Sequence, residues 1–142
     1  MVASVCLAAF AASFFLPQAR CEETTGDNKT QAKIHYMLQC QGCHLANGTG
    51  TTTGVPDMTE YGALLLKQKQ GRKFFIQVPG ASNAALNNKQ LAAVLNYIVD
   101  EILQADDVDD FTEQEIANSR GKPLGDVVAH RKSLISSLAE PQ

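Results

Sequence analysis

Apolar residues recur at helical spacing along most of the chain, and this pattern predicts an all-α fold. A first helix is predicted over residues 30–40, with a stripe formed by Ile34, Met37 and Leu38. A later helix is predicted to begin at Asn87 or Asn88, since either side chain can cap it. Its apolar stripe consists of Leu91, Val94, Leu95, Ile98 and Ile102.

Shorter elements are predicted around these two helices. In chain order they are a loose polar stretch at 22–29, a loop at 45–58, a short helix at 59–69 opened by Thr59 and ended by Gly71, a candidate strand at 74–78 and a turn at Pro79-Gly80. Strand patterns are weak elsewhere, so the single candidate strand does not change the fold class.

The chain after residue 103 predicts a two-helix extension. Asp106 to Asp110 form an acidic bend, and Thr112 with Glu115 has the spacing of a capping box that opens a short helix through Arg120. A second apolar stripe follows, made of Leu124, Val127, Val128, Leu134, Ile135 and Leu138. We expect this stripe to pack onto the same domain, and docking to a partner subunit is the alternative.

The N-terminal stretch differs in composition from the rest. Residues 1–16 carry no charge and are apolar, Pro17 interrupts them, and acidic residues follow Cys21. This predicts a cleaved export signal at 1–21, with a buried N-terminal helix as the alternative. The expected organisation is then a main domain at 22–103 and the helical extension at 104–142.

Composition narrows the function classes. The 142 residues suffice for one domain, and the net charge of -3 argues against a protein that binds nucleic acid through its phosphates. No apolar run reaches the roughly 18–20 residues of a membrane-spanning helix. In an exported chain the two thiols that remain, Cys40 and Cys43, need an explanation.

That explanation is the pentapeptide Cys40-Gln41-Gly42-Cys43-His44, which has the spacing of c-type haem attachment. The two thiols add to neighbouring haem vinyl groups, and the adjacent histidine becomes the proximal ligand of the iron. A redox dithiol, a zinc site and a simple disulfide are the competing interpretations. The sequence shows neither the βαβ pattern typical of a redox dithiol nor the second cysteine pair that a zinc site needs. A simple disulfide would not require His44.

From residue 30 to residue 103 the chain resembles the class I monohaem cytochromes c. The resemblance rests on the pentapeptide, the Gly-rich loop after it, and the run from Leu91 to Ile98, in which Tyr97 takes the place of a frequent aromatic residue. It implies first and last helices that cross around one covalent haem c. It also implies an electron carrier of the periplasm or an equivalent compartment.

The sixth ligand of the iron departs from the family pattern. In the family it is usually a methionine just before the last helix, but here that place holds Val78-Pro79-Gly80. Met58, in the run Gly54-Val55-Pro56-Asp57-Met58, is the predicted distal ligand, because its thioether suits haem iron. The alternatives are that Met58 only packs, leaving the position open, or that His130 ligates.

Basic residues gather at Lys67, Lys69, Arg72 and Lys73. Arg72 is singled out as a contact for a haem propionate, because a guanidinium pairs well with a carboxylate. An ordinary solvated face is the alternative.

The expected function is that of a periplasmic electron carrier and not of an enzyme. Its partners would be a dehydrogenase as donor and an oxidase or another cytochrome as acceptor. Two alternatives remain: a haem protein with an open sixth position for small ligands or peroxide, and an electron-transfer subunit of a dehydrogenase complex.

Overall fold

A computed structural model describes residues 25–52, 54–122 and 124–139 of the chain. The predicted export signal at 1–21 lies outside these residues. Within them the chain forms eight α-helices, one π-helical segment and no strand, which confirms the all-α prediction. They are α1 (Thr25–Gln39), α2 (Gln41–His44), α3 (Gly62–Leu66), α4 (Lys69–Gln77), α5 (Pro79–Ser82), α6 (Asn88–Tyr97), the π-helical segment Ile98–Leu103, α7 (Glu113–Ser119) and α8 (Val127–Leu138).

Helix α1 starts earlier than predicted and buries a different face. It begins at Thr25, within the stretch expected to be loose. Its inward positions are Ala32 and Tyr36, which are one turn apart and almost fully buried. The predicted stripe of Ile34, Met37 and Leu38 is exposed instead. A small residue followed by a large aromatic one fills the interface, so the aliphatic residues are left outside.

Helix α6 forms the centre of the core and follows the sequence prediction closely. Asn87 caps it, accepting a hydrogen bond from the Gln90 backbone while the Gln90 side chain accepts one from the Asn87 backbone. The predicted stripe is buried at Leu91, Val94, Leu95 and Ile98, and Ile102 is half-buried. This face packs against α1, so the helix that leads into the pentapeptide rests on the last helix of the main domain.

Two predictions for the middle of the chain, the candidate strand and the helix end at Gly71, are wrong. Residues 69–77, which include most of the candidate strand, form helix α4. This helix ends before Val78, whose extended conformation (φ -56°, ψ 142°) is the one favoured before a proline, and Pro79 then opens α5.

Gly71 lies inside α4 and does not end the preceding helix. A Cβ atom placed on Gly71 would lie 1.9 Å from the backbone oxygen of Leu65 in α3. The glycine therefore allows the backbones of α3 and α4 to approach each other closely.

The tail, which we define as the residues after 103, packs against the main domain. Helix α7 contacts α4 and α6, and α8 contacts α3 and α4. Phe111 and Ile116 join the core around α6, whereas Leu134 joins Leu65 and Phe74 in a second cluster. Val128 departs from the predicted stripe and is 76% exposed. In the described residues no helix has the length and apolar character needed to cross a membrane.

We predict that Gly71→Ala destabilises the protein, because the added methyl group would collide with the Leu65 carbonyl. Overpacking of this kind costs about 1–3 kcal/mol. The matched control is Gly80→Ala in α5, where a Cβ atom meets nothing within 4 Å. Urea unfolding should show a clear loss of stability for the first variant and a change below about 1 kcal/mol for the second. Equal stabilities would contradict the close approach of α3 and α4.

Candidate haem-attachment site

The pentapeptide folds as a single helical turn at the end of α1. The Cys40 backbone N–H donates to the Tyr36 carbonyl at 2.8 Å, which continues the hydrogen bonding of α1. The backbone N–H groups of Cys43 and His44 both donate to the Cys40 carbonyl, at 3.1 and 2.9 Å. The two thiols and the imidazole are thereby held in one compact turn, as the predicted haem attachment requires.

Tyr36 holds the far end of this turn. Its hydroxyl donates to the Leu45 carbonyl at 2.7 Å, and the side chain is only 1% exposed. Leu45 has a positive φ of 51°, an uncommon conformation for a residue other than glycine. The hydrogen bond fixes the chain where it reverses after His44. Sequence reasoning missed Tyr36, although its position one turn before Cys40 marks it as facing the same side of the helix.

The two thiols are free and differ in exposure. Cys43 is exposed, whereas Cys40 is half-buried and packs at the edge of the core that surrounds α6. Burial, followed by the neighbouring Cys43, raises the pKa of the Cys40 thiol to about 11. The two sulfurs therefore differ in access, since Cys40 lies on the core side and Cys43 at the surface.

The imidazole of His44 has the character of a metal ligand. Burial is the main influence on its pKa and lowers it, while the Pro56 carbonyl and the Asp57 carboxylate act in the opposite direction. Its Nδ1 atom is buried and has no hydrogen-bond partner. A ligating histidine uses one ring nitrogen for the metal and normally donates from the other to a carbonyl or carboxylate. The residues around His44 therefore fit an iron-bound histidine, with the Pro56 carbonyl as the nearby acceptor.

The loop after the pentapeptide returns to it through two glycines. Gly48 has a φ of 79°. Its N–H donates a hydrogen bond to the Leu45 carbonyl at 3.4 Å, and its carbonyl accepts one from the Met58 N–H at 3.2 Å. At Gly50 a Cβ atom would lie 1.9 Å from the Val55 oxygen, so only glycine fits. These constraints place the segment of Pro56 to Met58 against the pentapeptide.

Met58 is half-buried against the core. Its Cγ and Sδ atoms lie 3.0 and 3.3 Å from the position that a Cβ atom would take on Gly48, and the Ile102 side chain reaches the same place. The thioether thus already has packing partners on the loop and on the π-helical segment. Its role as an iron ligand stays a prediction.

Arg72 is directed to the tail. Its Nε and Nη2 atoms donate to the two carboxylate oxygens of Glu115 at 2.8 and 2.7 Å. The guanidinium also donates to the carbonyls of Asp109 and Asp110 and stacks over the Phe111 ring at 3.9 Å. The carboxylate expected near Arg72 is therefore supplied by the chain itself. The structure gives no support to a propionate contact.

The three lysines of the basic cluster and the two remaining histidines lie in different environments. Lys67 forms an ion pair with Asp107 of the tail, while Lys69 and Lys73 are exposed. His130 is exposed and stacks on Phe74 with ring centroids 5.8 Å apart, a contact with the second cluster. His35 is half-buried along α1.

Comparison with known proteins identifies relatives over most of the chain. Two proteins named Cytochrome c-552, both from Thermus thermophilus, are 32% identical to it over 126 aligned positions. The alignment covers 72% of this chain and 95% and 84% of the two relatives. No family model and no solved structure gives a significant match.

We predict that Tyr36→Phe lowers stability by about 1–2 kcal/mol at neutral pH, because the Leu45 carbonyl loses its donor. The penalty should shrink in alkali. Burial raises the pKa of Tyr36 to about 12 from 10.0, so the wild type binds this proton more tightly when folded and loses that stability as pH rises from about 10 to 12.

Urea unfolding of both proteins at several pH values tests this, with Tyr61→Phe as the control because Tyr61 lies beside Arg131 and not the pentapeptide. A Tyr36→Phe penalty that is constant from neutral to strongly alkaline pH would refute the assignment.

Proposed function

Because the chain belongs to the class I c-type cytochromes, a family of electron-transfer proteins with covalently bound haem c, we propose that it is an exported electron carrier with one haem at Cys40, Cys43 and His44. The observation that carries this proposal is the single helical turn that holds two free thiols beside a half-buried imidazole whose Nδ1 has no partner. When bound, the haem supplies a one-electron Fe(II)/Fe(III) couple.

The role of each residue in the turn follows from its surroundings. Cys40 would anchor the group on the core side, and the exposed Cys43 would hold it at the surface, where a partner protein can approach. His44 would ligate the iron through Nε2, since Nδ1 is the buried atom and the Pro56 carbonyl is the nearby acceptor. The lowered pKa favours the neutral imidazole that a metal requires.

We propose Met58 as the sixth ligand, on the ground of ligand chemistry. It is half-buried on the loop that returns to the pentapeptide, and Met37, the other methionine in the described residues, is 52% exposed. With both axial positions filled, the iron has no site for a substrate, so electron transfer with little rearrangement is the expected activity.

One observation favours a second candidate function, a haem protein with an open sixth position. The Met58 thioether already packs beside Gly48 and Ile102, and Pro56, only two residues earlier, lies beside the proximal His44. If that packing persists in the haem-loaded protein, no methionine reaches the other side of the iron. Small ligands or peroxide could then bind there.

The compartment and the partners belong to the same proposal. The apolar stretch at 1–16 supports export, and haem attachment accounts for two thiols in an exported chain. We propose a periplasmic dehydrogenase or respiratory chain as the electron source and an oxidase or another cytochrome as the acceptor. Because the tail packs on the main domain of the same chain, no dehydrogenase subunit is needed to cover its apolar stripe.

We predict that His44→Ala lowers haem retention and changes the absorption spectrum, because the iron loses its proximal ligand. The matched control is His35→Ala on α1, outside the pentapeptide, and it should retain the wild-type spectrum. Mass spectrometry of the denatured proteins should show one covalent haem in the wild type and in the control. A wild-type protein without covalent haem would overturn the proposed function.

We predict that Met58→Ala abolishes the weak long-wavelength absorption band expected of methionine-ligated ferric haem and lowers the reduction potential, since thioether ligation raises it. Met37→Ala, at an exposed position of α1, should change neither. A high-spin wild-type spectrum with rapid carbon monoxide binding, unchanged in Met58→Ala, would instead support the open sixth position.

A further inference from the structure

Arg120, the first residue after α7, binds three carbonyl groups of one segment of the main domain. Its Nε donates to the Ser82 carbonyl at 3.0 Å, Nη1 to the Leu86 carbonyl at 2.6 Å and Nη2 to the Ala84 carbonyl at 2.6 Å. A fourth, longer contact of 3.4 Å joins Nη1 to Asn88 Oδ1. These carbonyls belong to the 82–87 segment, which runs from the last residue of α5 to the residue before α6.

Two neighbouring contacts reinforce this attachment. The Gly121 backbone N–H donates to Ser82 Oγ at 3.3 Å, and Gln77 Nε2 donates to the Ser119 carbonyl at 3.2 Å. The 82–87 segment is largely irregular, and its Ala84 carbonyl also accepts a hydrogen bond from the Leu86 N–H at 2.8 Å. The guanidinium adds donors from outside the segment to the Ser82, Ala84 and Leu86 carbonyls.

The opposite side of the same segment is bonded to Gln39, the residue before the helical turn of the pentapeptide. The Ala85 N–H donates to Gln39 Oε1 at 3.2 Å, and Gln39 directly precedes Cys40. The Ala84 carbonyl and the Ala85 N–H belong to one peptide group, in which they point in opposite directions. Arg120 and Gln39 therefore hold a single peptide plane from its two sides.

Side chains of the 82–87 segment also pack in the core that Cys40 contacts. Leu86 is buried in the core around α6, and Ala84 and Cys40 both pack against that core. A movement of the 82–87 segment would thus affect the surroundings of Cys40 through the core that they share. Sequence reasoning gave Arg120 no role beyond the end of a short helix.

We propose that Arg120 is a positioning residue for the haem site, which sets the reduction potential by fixing the 82–87 segment against Gln39 and Cys40. This inference rests on the proposed haem attachment. A fixed segment limits water near the attached group, and greater solvent exposure favours the more highly charged ferric state and lowers the potential. The tail is then part of the redox unit.

The test is Arg120→Lys in the haem-loaded full chain, because lysine retains the charge but cannot reproduce the forked contacts. We expect a lower reduction potential than in the wild type. We also expect hydrogen exchange of the Ala85 amide, measured by NMR in the ferrous protein, to accelerate at least about tenfold. The second readout depends only on the peptide group and not on the iron.

Glu115→Ala is the matched control, since it breaks the contact between α7 and Arg72 without touching the 82–87 segment. It should leave the potential and Ala85 exchange near wild-type values. Gln39→Leu, which releases the other side of the peptide plane, should shift both readouts in the same direction as Arg120→Lys. The double variant should shift them by less than the sum of the single effects.

An unchanged potential in Arg120→Lys, or an equal shift in Glu115→Ala, would overturn the inference while leaving the proposed function intact. Additive effects of Arg120→Lys and Gln39→Leu would overturn it as well. A wild-type protein without covalent haem would overturn both. If Arg120→Lys does not fold, Gln39→Leu alone decides, because it acts on the same peptide group from the other side.

Discussion

The packing of α1 on α6 is the contact on which the rest of the site depends. Tyr36 contributes to this interface with its ring, which lies 5.7 Å from that of Tyr97, and to the site with its hydroxyl. One buried side chain therefore links the core to the end of the attachment turn. The direction in which Cys40, Cys43 and His44 leave α1 is a result of how the two helices pack.

Further contacts connect separate parts of the chain to this pair of helices. Lys29 and Glu101 form an ion pair between α1 and the π-helical segment, and Asn96 exchanges two hydrogen bonds with the backbone of Phe111. The exposed ion pair contributes little to stability. The Asn96 contacts are half-buried and satisfy both backbone groups of Phe111, so they fix the segment before α7 on α6.

The sequence predicted the features that depend on local patterns. The pentapeptide is a local motif, the Asn87 cap is decided within four residues, and the stripe of α6 is long enough to define its buried face. The same holds for Thr112, which caps α7 by accepting from the Glu115 backbone. Only half of the expected box forms there, because the Glu115 carboxylate binds Arg72.

The features that were predicted wrongly depend on distant residues. Gly71 has the local character of a helix end, but its position is decided by the backbone of Leu65. The partner of Arg72 in the structure, Glu115, lies 43 positions further along the chain, so no local pattern indicates it, and the expected propionate contact stays a prediction. The buried face of α1 was also misjudged, since a stripe of three aliphatic residues gives no information on which side α6 occupies.

The half-burial of Cys40 also constrains the order of events during maturation of the protein. In the folded chain this thiol is packed at the edge of the core and stays protonated at neutral pH, whereas Cys43 is open to solvent. A bulky group that must join both sulfurs would meet one accessible and one shielded partner. The predicted attachment is therefore easiest before α1 packs on α6, so that the chain would fold around a group it already carries.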